Sequence, residues 1–294
     1  MTSQHHNKMT VRVITDSVAQ VPEHLAKDLG IEVMPFTVTI QGVSYEDGID
    51  IQPEVLYQRM RAEKVIPKTA APSPGRCLQI LQNVIHQGAS SILCVVLSSN
   101  LSGAINAVRN AAEMAREEHP DVCIEVFDSK CAAIAEGYIA IQAAQAARNG
   151  MDLAGVTQVA RETTKRVGIV VSFDSLEYLA LGGRIGKAAY LLGNLIDIKP
   201  IITLDADGFV DPIGKVRGND KAFQAIIEHV EKVSTGCSRL VLTVLDADAL
   251  ERREELKRLA MQRLKPADVW QTPITPVMGS HTGPGLVGLG YYYE

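Results

Sequence analysis

The chain has 294 residues, of which 46% are hydrophobic and 21% charged, and its formal net charge is −5. The length predicts two domains, because single hydrophobic cores rarely grow beyond about 250–300 residues. The acidic balance argues against a nucleic-acid-binding protein, which presents a basic face. No apolar run approaches the roughly 18 residues that a membrane-spanning helix needs.

Cysteine usage and the N-terminus indicate the compartment. None of the five cysteines forms a CxxC pair, which is typical of proteins in a reducing environment. Met1 to Thr10 is polar and lacks the apolar segment of a signal peptide. We therefore expect a cytoplasmic protein without an integral membrane segment. Cys94 and Cys123 lie in apolar runs and are expected to be buried.

Strand and helix signals alternate in the first half of the chain. The predicted elements are a strand at 11–14, a helix at 22–29, a hairpin or sharp bend that joins 33–40 to 43–45, a helix at 53–63, a loop at 68–74, a helix at 75–87, a strand at 92–97, a helix at 102–117, a strand at 122–127 and a helix at 134–148. This order predicts parallel strands with helices on both faces. We predict a doubly wound, mainly parallel α/β domain over residues 1–165, although the helix at 151–165 could belong to either half.

The second half mixes hairpin and crossover signals. Its predicted elements are a strand at 167–173, a hairpin of 200–204 with 209–216, a helix at 220–232, a strand at 240–245, a helix at 249–264 and strands at 269–277 and 286–293. This pattern predicts an α+β domain with a mixed sheet over residues 166–294.

Three apparent nucleotide or metal motifs fail when they are examined. GGRIGK at 182–187 lacks the first glycine of a P-loop, since Leu181 stands there, and Ala188 follows the lysine. GPGLVG at 283–288 lies too near the C-terminus for a dinucleotide-binding unit. Asp205 and Asp207 lack the closing glutamate of a calcium loop. No nucleophile–base motif is present either, so we predict no catalytic residue, no metal and no cofactor.

Small hydroxyl residues at strand ends are the remaining candidates for a binding site. They are Thr15, Ser17, Thr69, Ser73, Ser98, Ser99, Ser102 and Ser129, together with Arg184 in a glycine turn and His281 before a glycine loop. Ligands of open α/β sheets bind at the carboxyl ends of the strands. The same residue types commonly cap helices, and Ser102 is the most typical cap because a predicted helix begins there.

Five stretches, in this order and spacing, resemble the DegV family over about Val11 to Tyr293. They are ITDS at 14–17, KTAAPS at 68–73, LSSNLSG at 97–103, LEYLALGGRIGK at 176–187 running on to IKP at 198–200, and HTGPG at 281–285. The resemblance implies two domains with a long-chain fatty acid between them, its tail in an apolar tunnel. It also implies a partner fatty acid kinase, which phosphorylates the carboxylate.

The resemblance also implies which residues bind the carboxylate. Hydroxyls of the threonine loop and of the SSxLSG loop would hold it with the histidine of HxGPG, and the arginine of GGRIG would lie nearby. The corresponding residues are Thr69, Ser99, Ser102, Gly103, His281 and Arg184. The family usually has Ser-Gln after the threonine and a threonine after SSxLSG, whereas this chain has Ala70, Ala71 and Ala104.

Two alternatives stay open at this point. The first is an enzyme subunit, because the fold resembles the substrate-binding half of dihydroxyacetone kinase; His281 would then handle a covalent or phosphorylated substrate. The second is a lipid sensor or storage protein without a kinase, which Ala70 and Ala71 favour.

Overall fold

The computed structural model describes residues 11–192 and 197–294; the prediction for Met1 to Thr10 lies outside the described residues. The strands are β1 (Val11–Asp16), β2 (Glu32–Met34), β3 (Thr37–Ile40), β4 (Val43–Glu46), β5 (Lys68–Ala70), β6 (Ser91–Val96), β7 (Cys123–Asp128), β8 (Val167–Ser172), β9 (Ile198–Leu204), β10 (Val210–Arg217), β11 (Leu240–Asp246), β12 (Asp268–Pro273) and β13 (Val287–Tyr293). The helices are α1 (Glu23–Leu29), α2 (Pro53–Glu63), α3 (Pro74–His86), α4 (Ala104–Glu118), α5 (Ile134–Arg148), α6 (Leu153–Thr164), α7 (Glu177–Leu181), α8 (Asn219–Val233), α9 (Leu250–Leu264) and α10 (Pro276–Thr282), and 3-10 turns lie at Ser17–Ala19 and Gly186–Leu191.

Four parallel strands form the first sheet, in the order β2-β1-β6-β7. Every residue of β6 is buried, as expected for a parallel strand that is covered on both faces. Helices α3 and α4 pack as one pair against this sheet, and α5 and α6 pack as the other. The predicted doubly wound parallel sheet is confirmed. Cys94 on β6 is buried as expected, but the prediction for Cys123 is wrong, because β7 is an edge strand and this thiol is exposed.

Six strands form the second sheet, in the order β10-β9-β8-β13-β11-β12. Only β11 and β12 pair in parallel within this sheet, and the other neighbours are antiparallel. Helices α8 and α9 cover one face with a compact apolar cluster that includes Phe223, Ile226 and Leu242. The predicted mixed sheet is therefore confirmed, while the boundary between residues 165 and 166 stays a prediction.

Helix α5 lies between the two sheets. It packs against β1 of the first sheet and against β8 and β13 of the second. Eleven of its fifteen residues are buried, which agrees with the rule that a helix without a continuous polar face is an interior helix. Tyr138 joins it to the second sheet, because its hydroxyl lies 2.7 Å from Oγ1 of Thr243 on β11.

A pair of buried carboxyl groups links α5 to β1. Asp16 accepts the backbone N–H groups of Val18 and Leu97, and Glu136 on α5 accepts the Thr15 hydroxyl at 3.3 Å. Burial raises the pKa of Asp16 to about 6, and burial together with the neighbouring Asp16 raises the pKa of Glu136 well above its usual value. Oε2 of Glu136 has no hydrogen-bond partner among the described residues, and the raised pKa favours the neutral acid at this position.

We expect Glu136→Gln to stabilise the protein at alkaline pH. The glutamate pKa is raised in the folded state, so its contribution is full below about 4.5 and is lost as pH rises through the folded-state pKa. The amide is neutral at every pH, and its oxygen can still accept the Thr15 hydroxyl. Thermal unfolding at pH 5 to 9 should show a melting-temperature advantage that grows with pH.

The matched control for this substitution is Glu125→Gln. Glu125 also accepts a threonine hydroxyl, from Thr157 at 2.7 Å, but it is exposed. The melting-temperature difference between Glu125→Gln and the unaltered protein should not grow with pH. Parallel melting curves for Glu136→Gln and the unaltered protein would mean that Glu136 is charged in the folded state.

A third, small antiparallel sheet has the order β4-β3-β5. Gln41 and Gly42 both have positive φ angles, as the two-residue hairpin turn between β3 and β4 requires. The predicted hairpin is confirmed for residues 37–40 with 43–46, but the continuous strand predicted over 33–40 is wrong, because residues 32–34 form β2 and pair with β1 in the first sheet. The prediction of a structureless loop over 68–74 is wrong, because residues 68–70 pair with β3.

Two further predictions about element boundaries are wrong. The strand predicted at 269–277 ends at Pro273, and α10 begins at Pro276, since proline suits the first turn of a helix and lacks the N–H that a strand needs. Helix α4 begins at Ala104 and not at Ser102, whose hydroxyl oxygen accepts the Ala104 N–H at 3.2 Å.

Candidate ligand-binding site

An apolar cavity lies where the two large sheets and the small sheet meet. The space in it that no atom occupies is about 950 Å³, including the part open to solvent. Its wall combines side chains from the loops that follow β1 and β6 with side chains from β8, β9, β11 and α10. Representative wall residues are Val18, Leu97, Ile169, Ile202, Leu245 and Val277.

Four of the six predicted site residues line this single cavity: Thr69, Ser102, Arg184 and His281. Thr69 lies on β5 and His281 near the end of α10, and Thr69 Oγ1 is 2.7 Å from His281 Nε2. The structure thus brings together residues that are 212 positions apart in the sequence. Ser99 and Gly103 are exposed and lie outside the cavity wall.

His281 is a neutral imidazole. Burial and the nearby Arg184 guanidinium lower its pKa to about 4, because both disfavour the cationic form. Its Nδ1 atom has no hydrogen-bond partner among the residues that the structure describes. Gly182 lies against this nitrogen, and a Cβ atom at position 182 would collide with Nδ1. The glycine therefore allows the close approach of α10 to the segment that follows α7.

Arg184 lies at the solvent-exposed edge of the cavity. Its Nε donates to the carbonyl oxygen of Leu101 at 3.1 Å, and an Nη atom donates to that of Gly182 at 2.6 Å. The guanidinium therefore joins the loop after β6 to the end of α7. Its positive charge acts on His281 although Arg184 itself is exposed.

The other hydroxyl candidates have structural partners. Thr15 bonds Glu136, Ser98 donates to the Gly208 carbonyl oxygen at 3.0 Å, and Ser129 bonds the backbone of Cys131. Ser17 Oγ accepts the Phe36 N–H, and Ser73 caps α3 by accepting the Arg76 N–H. The position of a hydroxyl residue at the end of a strand therefore does not predict whether it contacts a ligand, stabilises a turn or caps a helix.

The three alanines that depart from the family pattern have different surroundings. Ala71 lines the cavity, so its methyl group adds apolar wall where the family usually has an amide. Ala70 is exposed, and Ala104 is buried at the start of α4. Of the three departures, the one at Ala71 bears directly on ligand contacts.

Several residues of the site were missed from the sequence. Met278 and Thr282 line the cavity because α10 carries them there, and Thr203 lines it from β9 with its hydroxyl bonded to the Ile169 carbonyl oxygen at 2.7 Å. Pro276 and Gly283 are typical start and stop signals of a helix, so they could have revealed α10.

Within residues 11–192 and 197–294, no group of three or more His, Cys, Asp or Glu side chains could hold a metal ion. In the same ranges no helix combines the length and the apolar character that crossing a bilayer requires. Asp205, considered above for calcium, instead accepts the Asp207 and Phe209 N–H groups and pairs with Lys187.

The fold is that of an α/β protein with one parallel sheet and one mixed sheet. Its cavity has an apolar wall and one polar end. The sequence model of the DegV family matches residues 10–294, and the chain belongs to this family. A DegV domain-containing protein of Clostridium acetobutylicum is 32% identical over 286 residues, covering 97% of this chain and 99% of the relative.

Solved structures of relatives share the fold. A DegV family protein from Thermus thermophilus, described by its fatty acid binding, has a TM-score of 0.89 and 28% identity, covering 97% of this chain and all of its own. A protein from Thermotoga maritima, described as revealing a fatty acid binding function, has a TM-score of 0.86 and 27% identity, with 97% of this chain and 100% of that chain covered.

Proposed function

We propose that this protein binds one long-chain fatty acid in the cavity, with the carboxylate at Thr69, Ser102 and His281. The observation that carries the proposal is the Thr69–His281 hydrogen bond at the polar end of an otherwise apolar cavity. Relatives described as fatty-acid-binding proteins support it.

The free energy of binding would come mainly from the acyl chain. Each buried methylene contributes roughly 0.8 kcal/mol, so about a dozen offer on the order of 10 kcal/mol before ordering costs. The aliphatic wall supplies contacts along the chain, and Thr203 adds no unpaired polar atom because its hydroxyl is bonded to Ile169.

The carboxylate would be recognised by neutral donors. A carboxylate only accepts hydrogen bonds, so the Thr69 hydroxyl must turn its hydrogen toward the ligand. Its oxygen then accepts the hydrogen of His281 Nε2, and this selects the Nε2–H form of the neutral imidazole. The Ser102 oxygen already accepts the Ala104 N–H, so its hydrogen is available to the second carboxylate oxygen.

Presentation of the carboxylate to a fatty acid kinase is part of the same proposal. The exposed Arg184 marks the edge of the cavity close to His281, so the head group would lie near solvent, where a partner enzyme could reach it. The protein itself would act as a carrier and not as a catalyst. Its place of action would be the cytoplasm, where its five thiols stay reduced.

Native mass spectrometry of the purified chain, followed by lipid extraction, tests this proposal. We expect one fatty acid per chain, and uptake of added palmitic acid by chains from which the lipid has been removed. Incubation of the loaded protein with a fatty acid kinase and ATP should then consume the bound acid. A chain that takes up no palmitic acid but converts a small hydroxyketone would contradict the proposal and favour the enzyme alternative.

A further inference from the structure

Helix α10 carries His281 but has an incomplete N-terminus of its own. It begins at Pro276 after Thr275, whose side chain makes no capping hydrogen bond within the described part of the chain. A carboxylate from another element takes that place. Asp47, 230 residues away in sequence, accepts the Val277 N–H through Oδ1 at 2.9 Å.

Asp47 is rigidly held at the end of the small sheet. It follows β4 directly, its backbone N–H donates to the Phe36 carbonyl oxygen at 2.9 Å, and only 3% of the residue is exposed. Oδ2 of the same carboxylate has no hydrogen-bond partner among the described residues. The backbone contact and the burial therefore fix the position of the carboxylate that receives α10.

The other end of α10 is bound to the same small sheet. His281 bonds Thr69 on β5, and β3 joins β5 to β4. Between the two ends, Gly279 packs against α2 so closely that a Cβ atom there would lie 2.6 Å from the Tyr57 hydroxyl oxygen. The small sheet therefore holds the start and the end of α10, and α2 packs against its middle.

We infer that Asp47 is a positioning residue for the carboxylate site: by fixing the start of α10, it sets the distance between His281 and Thr69. This inference rests on the proposed function, because it concerns the same site. Asp47 lies outside the cavity wall, so its effect on a ligand passes through α10. It should therefore act more strongly on the head group than on the acyl chain, toward which α10 contributes Val277 and Met278 among many other wall residues.

The experiment offers palmitic acid and 1-hexadecanol in competition to the full-length chain and reads the bound ratio by native mass spectrometry. The two ligands have the same chain length and differ in the head group. The unaltered protein should prefer the acid. Asp47→Ala should reduce this preference by about tenfold, the typical worth of one hydrogen bond to a charged group. Retention of the alcohol should fall less than retention of the acid.

Three further variants separate positioning from general support of the fold. Asp47→Asn keeps an oxygen that accepts the Val277 N–H, so it should restore the preference. Asp50→Ala removes a neighbouring exposed carboxylate that accepts the Glu46 N–H and leaves α10 untouched, so the preference should stay as in the unaltered protein. In a His281→Ala background, Asp47→Ala should have no further effect on the ratio.

The outcomes are distinguishable. An unaltered protein that shows no preference for the acid contradicts the proposed function itself. A preference that persists in Asp47→Ala, or an equal loss of both ligands, overturns the inference about Asp47. If Asp47→Ala does not yield folded protein, Asp47→Ser, which is too short to reach Val277, makes the same test.

Discussion

Replacement of His281 by alanine should weaken fatty-acid binding by about 10- to 100-fold. The loss corresponds to roughly 1–3 kcal/mol, the cost of leaving a buried polar partner unsatisfied. Without the imidazole, nothing orients the Thr69 hydroxyl toward the ligand, and its oxygen, 2.7 Å from Nε2 in the unaltered protein, loses its donor. Titration calorimetry with palmitic acid on lipid-free protein measures the change.

Controls make this result specific to the Thr69–His281 pair. His86→Ala removes an exposed histidine at the end of α3 and should bind as the unaltered protein does. Thr69→Val should lose a similar amount, and the double variant should lose little more than either single one, because both act on the same hydrogen bond. Additive losses would show that the two residues contact the ligand independently, and unchanged affinity would remove His281 from the site.

The second large effect is expected from Ile169→Trp. Phe173 leads into the segment that contains α7 and Gly182, and Gly182 lies beside His281. Ile169 is four residues earlier on β8, so the extended backbone places it about 13 Å from Phe173. Both side chains line the cavity. An indole at position 169 should exclude the far end of the acyl chain. Loss of about four methylenes weakens stearic acid on the order of 100-fold.

The affinity for shorter fatty acids shows whether the substitution shortens the cavity or disrupts the whole binding site. Decanoic acid should bind Ile169→Trp nearly as well as it binds the unaltered protein, because its tail would not reach the indole. Ile213→Trp adds the same side chain at an exposed position, 43% accessible, on β10, and should bind every chain length normally. An equal loss for decanoic and stearic acid would mean that the acyl chain does not extend along β8 toward Ile169.

Much of the fold could be predicted because its strongest signals are local. The run at 92–97 is apolar throughout, which predicts a strand covered on both faces, and the turn at Gln41–Gly42 has the positive φ angles that its sequence predicts. The short strand β5 carries no such signal. It exists because residues 68–70 pair with β3, and this long-range contact has no local pattern.

The site was predictable only in part, for a related reason. Each residue of the Thr69–His281 pair stands in a recognisable motif, but their hydrogen bond depends on α10, whose start lies within the strand that the sequence predicts at 269–277. Ser99 and Gly103 share the motif of Ser102 yet lie outside the cavity wall. Asp47 and Glu136 carry no sequence signal, because burial alone distinguishes them from the solvated acids of ordinary loops and helices.

The position of α5 between the two sheets determines how the protein unfolds. Because this helix supplies core to both sheets, opening either one exposes the apolar residues that it shares with the other. Partial unfolding of one half is therefore costly, and the chain is expected to melt in one cooperative transition. The cavity is bounded by Ala132 and Ala133, immediately before α5, so a bound lipid would protect backbone amides of both halves from hydrogen exchange.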